Sequence, residues 1–130
     1  MTLKRLEFEI DSLELGPALN DITLYYLSEN LRSKGFCIPV SYWSFLHLVG
    51  GISSRGMWLW NDQEISKDAE LRCCQADFSV LHIGECDQGR YVYFCDSDSY
   101  GIILSEGGIH NFSDFSDMLN HVISSIFANC

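Results

Sequence analysis

Two β-favouring runs, Tyr91-Val92-Tyr93-Phe94-Cys95 and Gly101-Ile102-Ile103-Leu104, flank the turn-forming stretch Asp96-Ser97-Asp98-Ser99-Tyr100. Aromatic and β-branched side chains suit a pleated, half-buried surface, while clustered Asp, Ser and Gly reverse the chain. The pattern predicts a hairpin and commits the second half of the chain to antiparallel pairing. Met57-Trp58-Leu59-Trp60, stopped by Asn61-Asp62, reads as another strand, as does Phe78 to Ile83 before Gly84. Residues 3–10 alternate, with Leu6, Phe8 and Ile10 opposite Glu7 and Glu9, and predict a short strand as well. Gly107-Gly108 marks a further turn.

Elsewhere the period is helical. Gly16-Pro17 predicts a helix start, with Leu19, Ile22, Tyr26, Leu27 and Leu31 as its apolar stripe and Gly35 as its stop. Ile38-Pro39 opens a second helix, where Tyr42, Phe45, Leu46 and Val49 form one face before Gly50-Gly51. A third closes the chain, capped by Asn111 or Ser113, and packs on the sheet through Phe115, Met118, Leu119, Val122 and Ile126. His47 reads as a partly exposed or hydrogen-bonded side chain of the second helix. The order of helices, strand meander and closing helix predicts a single α+β domain over residues 1–130.

The 130 residues are 47% hydrophobic and 13% aromatic, enough for one core. No run approaches the roughly 20 apolar residues of a membrane-spanning helix. The charged start Met-Thr-Leu-Lys-Arg-Leu-Glu-Phe-Glu does not read as a signal peptide, so the expected compartment is the cytoplasm. Cys37, Cys73, Cys74, Cys86, Cys95 and Cys130 then read as reduced, mostly buried thiols. No Cys-x-x-Cys spacing signals zinc or a redox pair.

Charge is uneven. Residues 1–55 hold six acids and five bases, a net of −1, whereas residues 56–130 hold twelve acids against Lys67, Arg72 and Arg90, a net of −9. The total of −10 argues against nucleic-acid phosphates and anionic membranes as partners. It fits either plain solubility or a docking surface for a basic protein.

Catalytic and metal patterns are weak. Asp96 to Gly101 begins like a calcium loop, but Gly107 stands where the bidentate Glu belongs. No glycine-rich phosphate loop occurs. Four histidines and six cysteines leave a Cys/His nucleophile conceivable, yet no local signature marks one. The residues thus predict no enzyme, no cofactor and no metal.

Two segments taken together are similar to the SUKH superfamily of fungal cell-wall regulators and bacterial toxin-immunity proteins. The first runs from Leu31 through Gly35, Ile38-Pro39, Tyr42 and Phe45-Leu46 into Gly50-Gly51. The second comprises Ile83-Gly84, Gly89, Tyr91-Val92-Tyr93, Gly101-Ile102-Ile103 and Phe112-Ser113-Asp114-Phe115. The resemblance spans about 19–127; Val49 departs from the Asn that commonly precedes the helix-stop Gly, and 61–77 do not align. It implies a non-catalytic binding domain, foremost an immunity protein neutralising a cognate bacterial toxin such as a nuclease. The alternative is an intracellular regulator or scaffold of the same fold. The partner would be a basic protein, and the domain a monomer or weak dimer. The first candidate interface is the turn bearing Asp96 and Asp98, with Tyr100 as aromatic anchor; the second is Glu85 with Asp87.

Overall fold

The computed structural model describes residues 13–54, 56–72 and 80–128, the side chains of 127 and 128 excepted. In chain order the elements are β1 (Glu14–Leu15), α1 (Asp21–Ser33), α2 (Val40–Leu48), β2 (Ile52–Ser54), β3 (Met57–Leu59) and α3 (Asp62–Arg72). There follow β4 (Val80–Cys86), β5 (Gly89–Phe94), β6 (Ser99–Leu104), β7 (Ile109–Phe112) and α4 (Phe115–Ala128). The strands form one seven-stranded sheet in the order β1 to β7, antiparallel throughout. The expected α+β architecture is therefore present, with α4 packed against β3, β6 and β7.

The β5–β6 hairpin is the centre of the meander. Tyr93 opposes Tyr100, which opposes Phe112 on β7; two residues along, Tyr91 opposes Ile102 and then His110. Side chains two apart share a face, so these rows build one apolar surface against the helices. Tyr42 from α2 lies over it, its hydroxyl donating to the carbonyls of Trp60 at 2.7 Å and Ile83 at 3.2 Å. Phe115, the first residue of α4, sits with its ring centroid 5.6 Å from Tyr42, 5.3 Å from Phe45 and 5.4 Å from Tyr100. This aromatic cluster joins α2, α4 and the hairpin, and its separations are those at which ring pairs attract.

Local chemistry explains the helix ends. Past α1, Gly35 adopts φ 89°, and the Gly35 and Phe36 N–H groups donate to the carbonyls of Arg32 and Leu31. That double bond is a Schellman closure, which a residue with a Cβ makes only under strain. Past α2, Gly50 and Gly16 meet backbone to backbone: the Gly50 N–H donates to the Gly16 carbonyl at 3.1 Å, and a Cβ on Gly50 would stand 2.1 Å from the Pro17 carbonyl oxygen.

Several expectations are corrected. The first helix begins at Asp21 rather than at Pro17, because Asn20 caps it by accepting the Thr23 N–H at 2.8 Å. Its buried stripe is Leu24, Leu27 and Leu31, while Ile22 and Tyr26 are each 67% exposed. α3 was not expected. Asn61 and Glu64 bond reciprocally, each side chain accepting the other's backbone N–H at 3.0 Å, and this capping box starts a helix within 61–77, the stretch that does not align with the SUKH-like motifs. β1, β2 and β7 were also not expected; each is short, β1 and β7 at the two edges of the sheet and β2 beside β1. The last helix is capped by Asp114, which accepts the Asp117 N–H at 2.8 Å, rather than by Asn111 or Ser113. Its core face is Phe115, Met118, Val122 and Ile126, with Leu119 only partly buried. The thiols expected to be buried are not: Cys37 is exposed, and Cys86 and Cys95 are intermediate. The strand expected over 3–10, and Cys73, Cys74 and Cys130, lie outside the described residues.

Candidate functional site

The aromatic cluster leaves a groove on its outer side. α2 supplies one wall with Ser41, Ser44, Phe45 and Leu48, and the start of α4 supplies the other with Asp114, Phe115, Ser116 and Leu119. Asp98 and Tyr100, from the β5–β6 turn, close one end, and the space enclosed is about 510 Å³. Leu48 is 72% exposed, although it stands on the same helix as the buried Tyr42, Phe45 and Leu46. The exposed Leu48 and the partly buried Leu119, beside Phe45 and Phe115, make the floor largely apolar.

The carboxylates at this groove are held in place. Asp98 takes φ 49°, a left-handed conformation that Asp tolerates better than most residues, and its Oδ1 accepts the Tyr93 hydroxyl at 2.7 Å. Burial, then the bond to Asp98 and its charge, push the Tyr93 hydroxyl well above the usual tyrosine range, so it stays a donor. Asp114 caps α4. Among the described residues, no Lys, Arg or His forms an ion pair with Asp96, Asp98, Asp114 or Asp117. The described arginines pair elsewhere: Arg72 and Arg90 both reach Asp68, at 2.9 and 3.1 Å, and Arg32 reaches Glu29. His47 Nε2 donates to the Asp21 carboxylate at 2.9 Å, in keeping with a partly exposed, satisfied histidine.

The five sequence-derived candidates therefore separate. Asp96 and Asp98 are exposed on the turn, and Asp98 lines the groove. Tyr100 is only 2% exposed; its ring belongs to the core and its hydroxyl bonds to that of Ser41. It cannot act as a protruding aromatic anchor, and burial pushes its hydroxyl up to about 12. Glu85 is not in a turn. It sits in β4, half-buried, between Trp58 on β3 and Arg90 on β5. Asp87 is exposed in the β4–β5 turn, at the end of the hairpin opposite Asp98 and about 20 Å away along the six-residue strand β5. It borders a separate cavity of about 470 Å³ with Gln88, Glu106, His110 and His121. There burial and the neighbouring His110 lower the His121 pKa.

The apolar groove walls are not legible as site residues because Phe45, Phe115 and Leu119 fall in core periodicity, while the exposed Leu48, like Val40, stands off the buried stripe of α2. Asp114 was visible as a helix-start acid, but nothing in the sequence joins it to a turn sixteen residues earlier. No three His, Cys, Asp or Glu side chains converge as metal ligands among the described residues. None of the helices searched there is long and apolar enough to cross a membrane. The sequence matches no family model, and no curated protein matches it significantly.

Proposed function

We propose that this chain is a non-catalytic binding domain of the immunity-protein type, which neutralises a cognate bacterial toxin by seating a basic segment of it in the groove between α2 and α4. The observation that carries this reading is the pairing of an apolar floor with Asp98 and Asp114, carboxylates that no cation neutralises among the described residues. Such a site suits Lys or Arg side chains, whose methylene stems pack on Phe45, Leu48 and Leu119 while their charged ends reach the rim. The net of −9 in residues 56–130 adds steering toward a positively charged protein. A nuclease is one such target, because it is basic where it holds phosphates. The SUKH-like order of motifs supports the same reading.

The test is protection. Cells producing a basic toxin candidate, sought among the products of neighbouring genes, are grown with and without this protein, and the two purified proteins are mixed and sized. Growth restored together with a stoichiometric complex supports the proposal. Absence of both rejects it, and would leave the regulator or scaffold reading to be examined.

A further inference from the structure

Cys37 and Cys95 are 58 positions apart in sequence, yet their sulfur atoms lie 3.1 Å from each other. Cys37 stands in the connection between α1 and α2, just before Ile38-Pro39, and is exposed. Cys95 is the first residue after β5, at the start of the turn that carries Asp98, and is partly buried. A disulfide brings two sulfurs to about 2.05 Å, so roughly 1 Å of approach separates this contact from a covalent bond. Both residues occupy connections rather than element interiors, where so small a movement disturbs no helix or sheet ladder. The contact also sits beside the groove: Ser41, four residues after Cys37, bonds to Tyr100, five residues after Cys95.

From this geometry we infer that Cys37 and Cys95 are a thiol–disulfide pair, open to oxidation by small-molecule disulfides of the glutathione class. The exposed Cys37 thiol loses its proton and attacks one sulfur of oxidised glutathione; the electron pair of the broken S–S bond leaves with the first glutathione, which takes up that proton. Cys95, losing its proton, then attacks the Cys37 sulfur of the mixed disulfide and expels the second. Two protein thiols are oxidised and one glutathione disulfide is reduced to two thiols, so electrons and protons balance. The order of events follows from exposure. Burial and the adjacent Cys37 push the Cys95 thiol up to about 12, which suits a resolving rather than an attacking role. The product staples the α1–α2 connection to the β5–β6 turn, fixing the end of the groove where Asp98 stands. This inference does not rest on what occupies the groove.

The experiment uses the full native chain treated with oxidised glutathione, alkylated, and digested with trypsin and a glutamate-specific protease. These enzymes place Cys37 in residues 35–55 and Cys95 in 91–106, away from Cys73, Cys74, Cys86 and Cys130. The expected result is a 35–55 to 91–106 cross-link about ten-fold more abundant than any other, because the fold supplies a high effective concentration. In urea that preference disappears. In Cys95→Ser, Cys37 instead retains one glutathione. Persistence of the mixed disulfide on wild-type Cys37, dominance of any other cross-link, or no reaction overturns the inference. The wild-type digest decides the matter should the variant fail to fold.

Discussion

Tyr42 shows how much a single side chain holds together here. Its ring is fully buried against Phe115, and its hydroxyl ties α2 to the carbonyls that end β3 and lie within β4. Tyr42→Phe keeps the ring but takes the hydroxyl donor from the Trp60 carbonyl, while the Ile83 carbonyl keeps the Trp60 N–H at 2.9 Å. The expected cost is about 1–3 kcal/mol in a denaturant titration. Burial also raises the ionisation of Tyr42 well above the usual range, followed by the influence of Glu64 and Tyr100, and Tyr100 itself is pushed up to about 12. A tyrosine whose folded pKa is raised stabilises the fold fully below its unfolded pKa of about 10 and loses that contribution as pH rises further. Stability should therefore hold up to about pH 9 and fall above pH 10, more shallowly in Tyr42→Phe. Unfolding curves across that range check this, and a flat profile would contradict it. Side chains of this kind are legible in sequence only as apolar: the stripe Tyr42, Phe45, Leu46 and Val49 shows that Tyr42 is inside, but not that its hydroxyl bridges two strands. Tyr100 misled for the same reason, since a tyrosine among Asp and Ser has the composition of an exposed turn while register turns its ring inward opposite Tyr93.

Among the elements, α3 was hidden because its apolar content is low; only Ile65 and Ala69 are buried, four residues apart. Its start rests on the Asn61–Glu64 capping box, so Asn61→Ala should destabilise by about 0.5–2 kcal/mol in a chemical-denaturation curve, with little change on Asn61→Asp. The Asn-x-x-Glu signal is present in the sequence, but Asn61-Asp62 after Met57-Trp58-Leu59-Trp60 equally fits the stop of a strand. Long strands and strongly patterned helices were legible, since β5, β6, α2 and α4 declare themselves through period and turn chemistry. The short β1, β2 and β7 did not, because two to four residues cannot establish an alternation and exist only through pairing with neighbours. α4 separates core from site along one helix. Met118→Ala, at a fully buried position, should cost about 2–5 kcal/mol, whereas Leu119→Ala, at the groove wall, should cost about 1 kcal/mol or less. Parallel denaturant titrations distinguish them; equal losses would place Leu119 in the core.

At the level of the whole molecule, charge and topology act together. The sheet meander carries the acidic turn of 95–98 up to the start of α4, where Asp98 and Asp114 flank a floor that α2 completes. Charge asymmetry was plain in the sequence, but its concentration at this groove required a hairpin, a helix cap and an aromatic cluster to converge. Glu85 and Asp87 show the limit of reasoning from charge alone, since one is held in a strand beside Arg90 and the other faces a different cavity. The most direct test replaces both rim carboxylates by amides. Asn keeps the left-handed turn at 98 and the helix cap at 114, so Asp98→Asn with Asp114→Asn removes charge while preserving the fold. Association of this variant with the isolated basic partner is followed by stopped flow at low and at physiological salt. The groove reading predicts an on-rate about ten-fold slower at low salt, with a weaker dependence on ionic strength than wild type. An unchanged on-rate and an unchanged salt slope would contradict it.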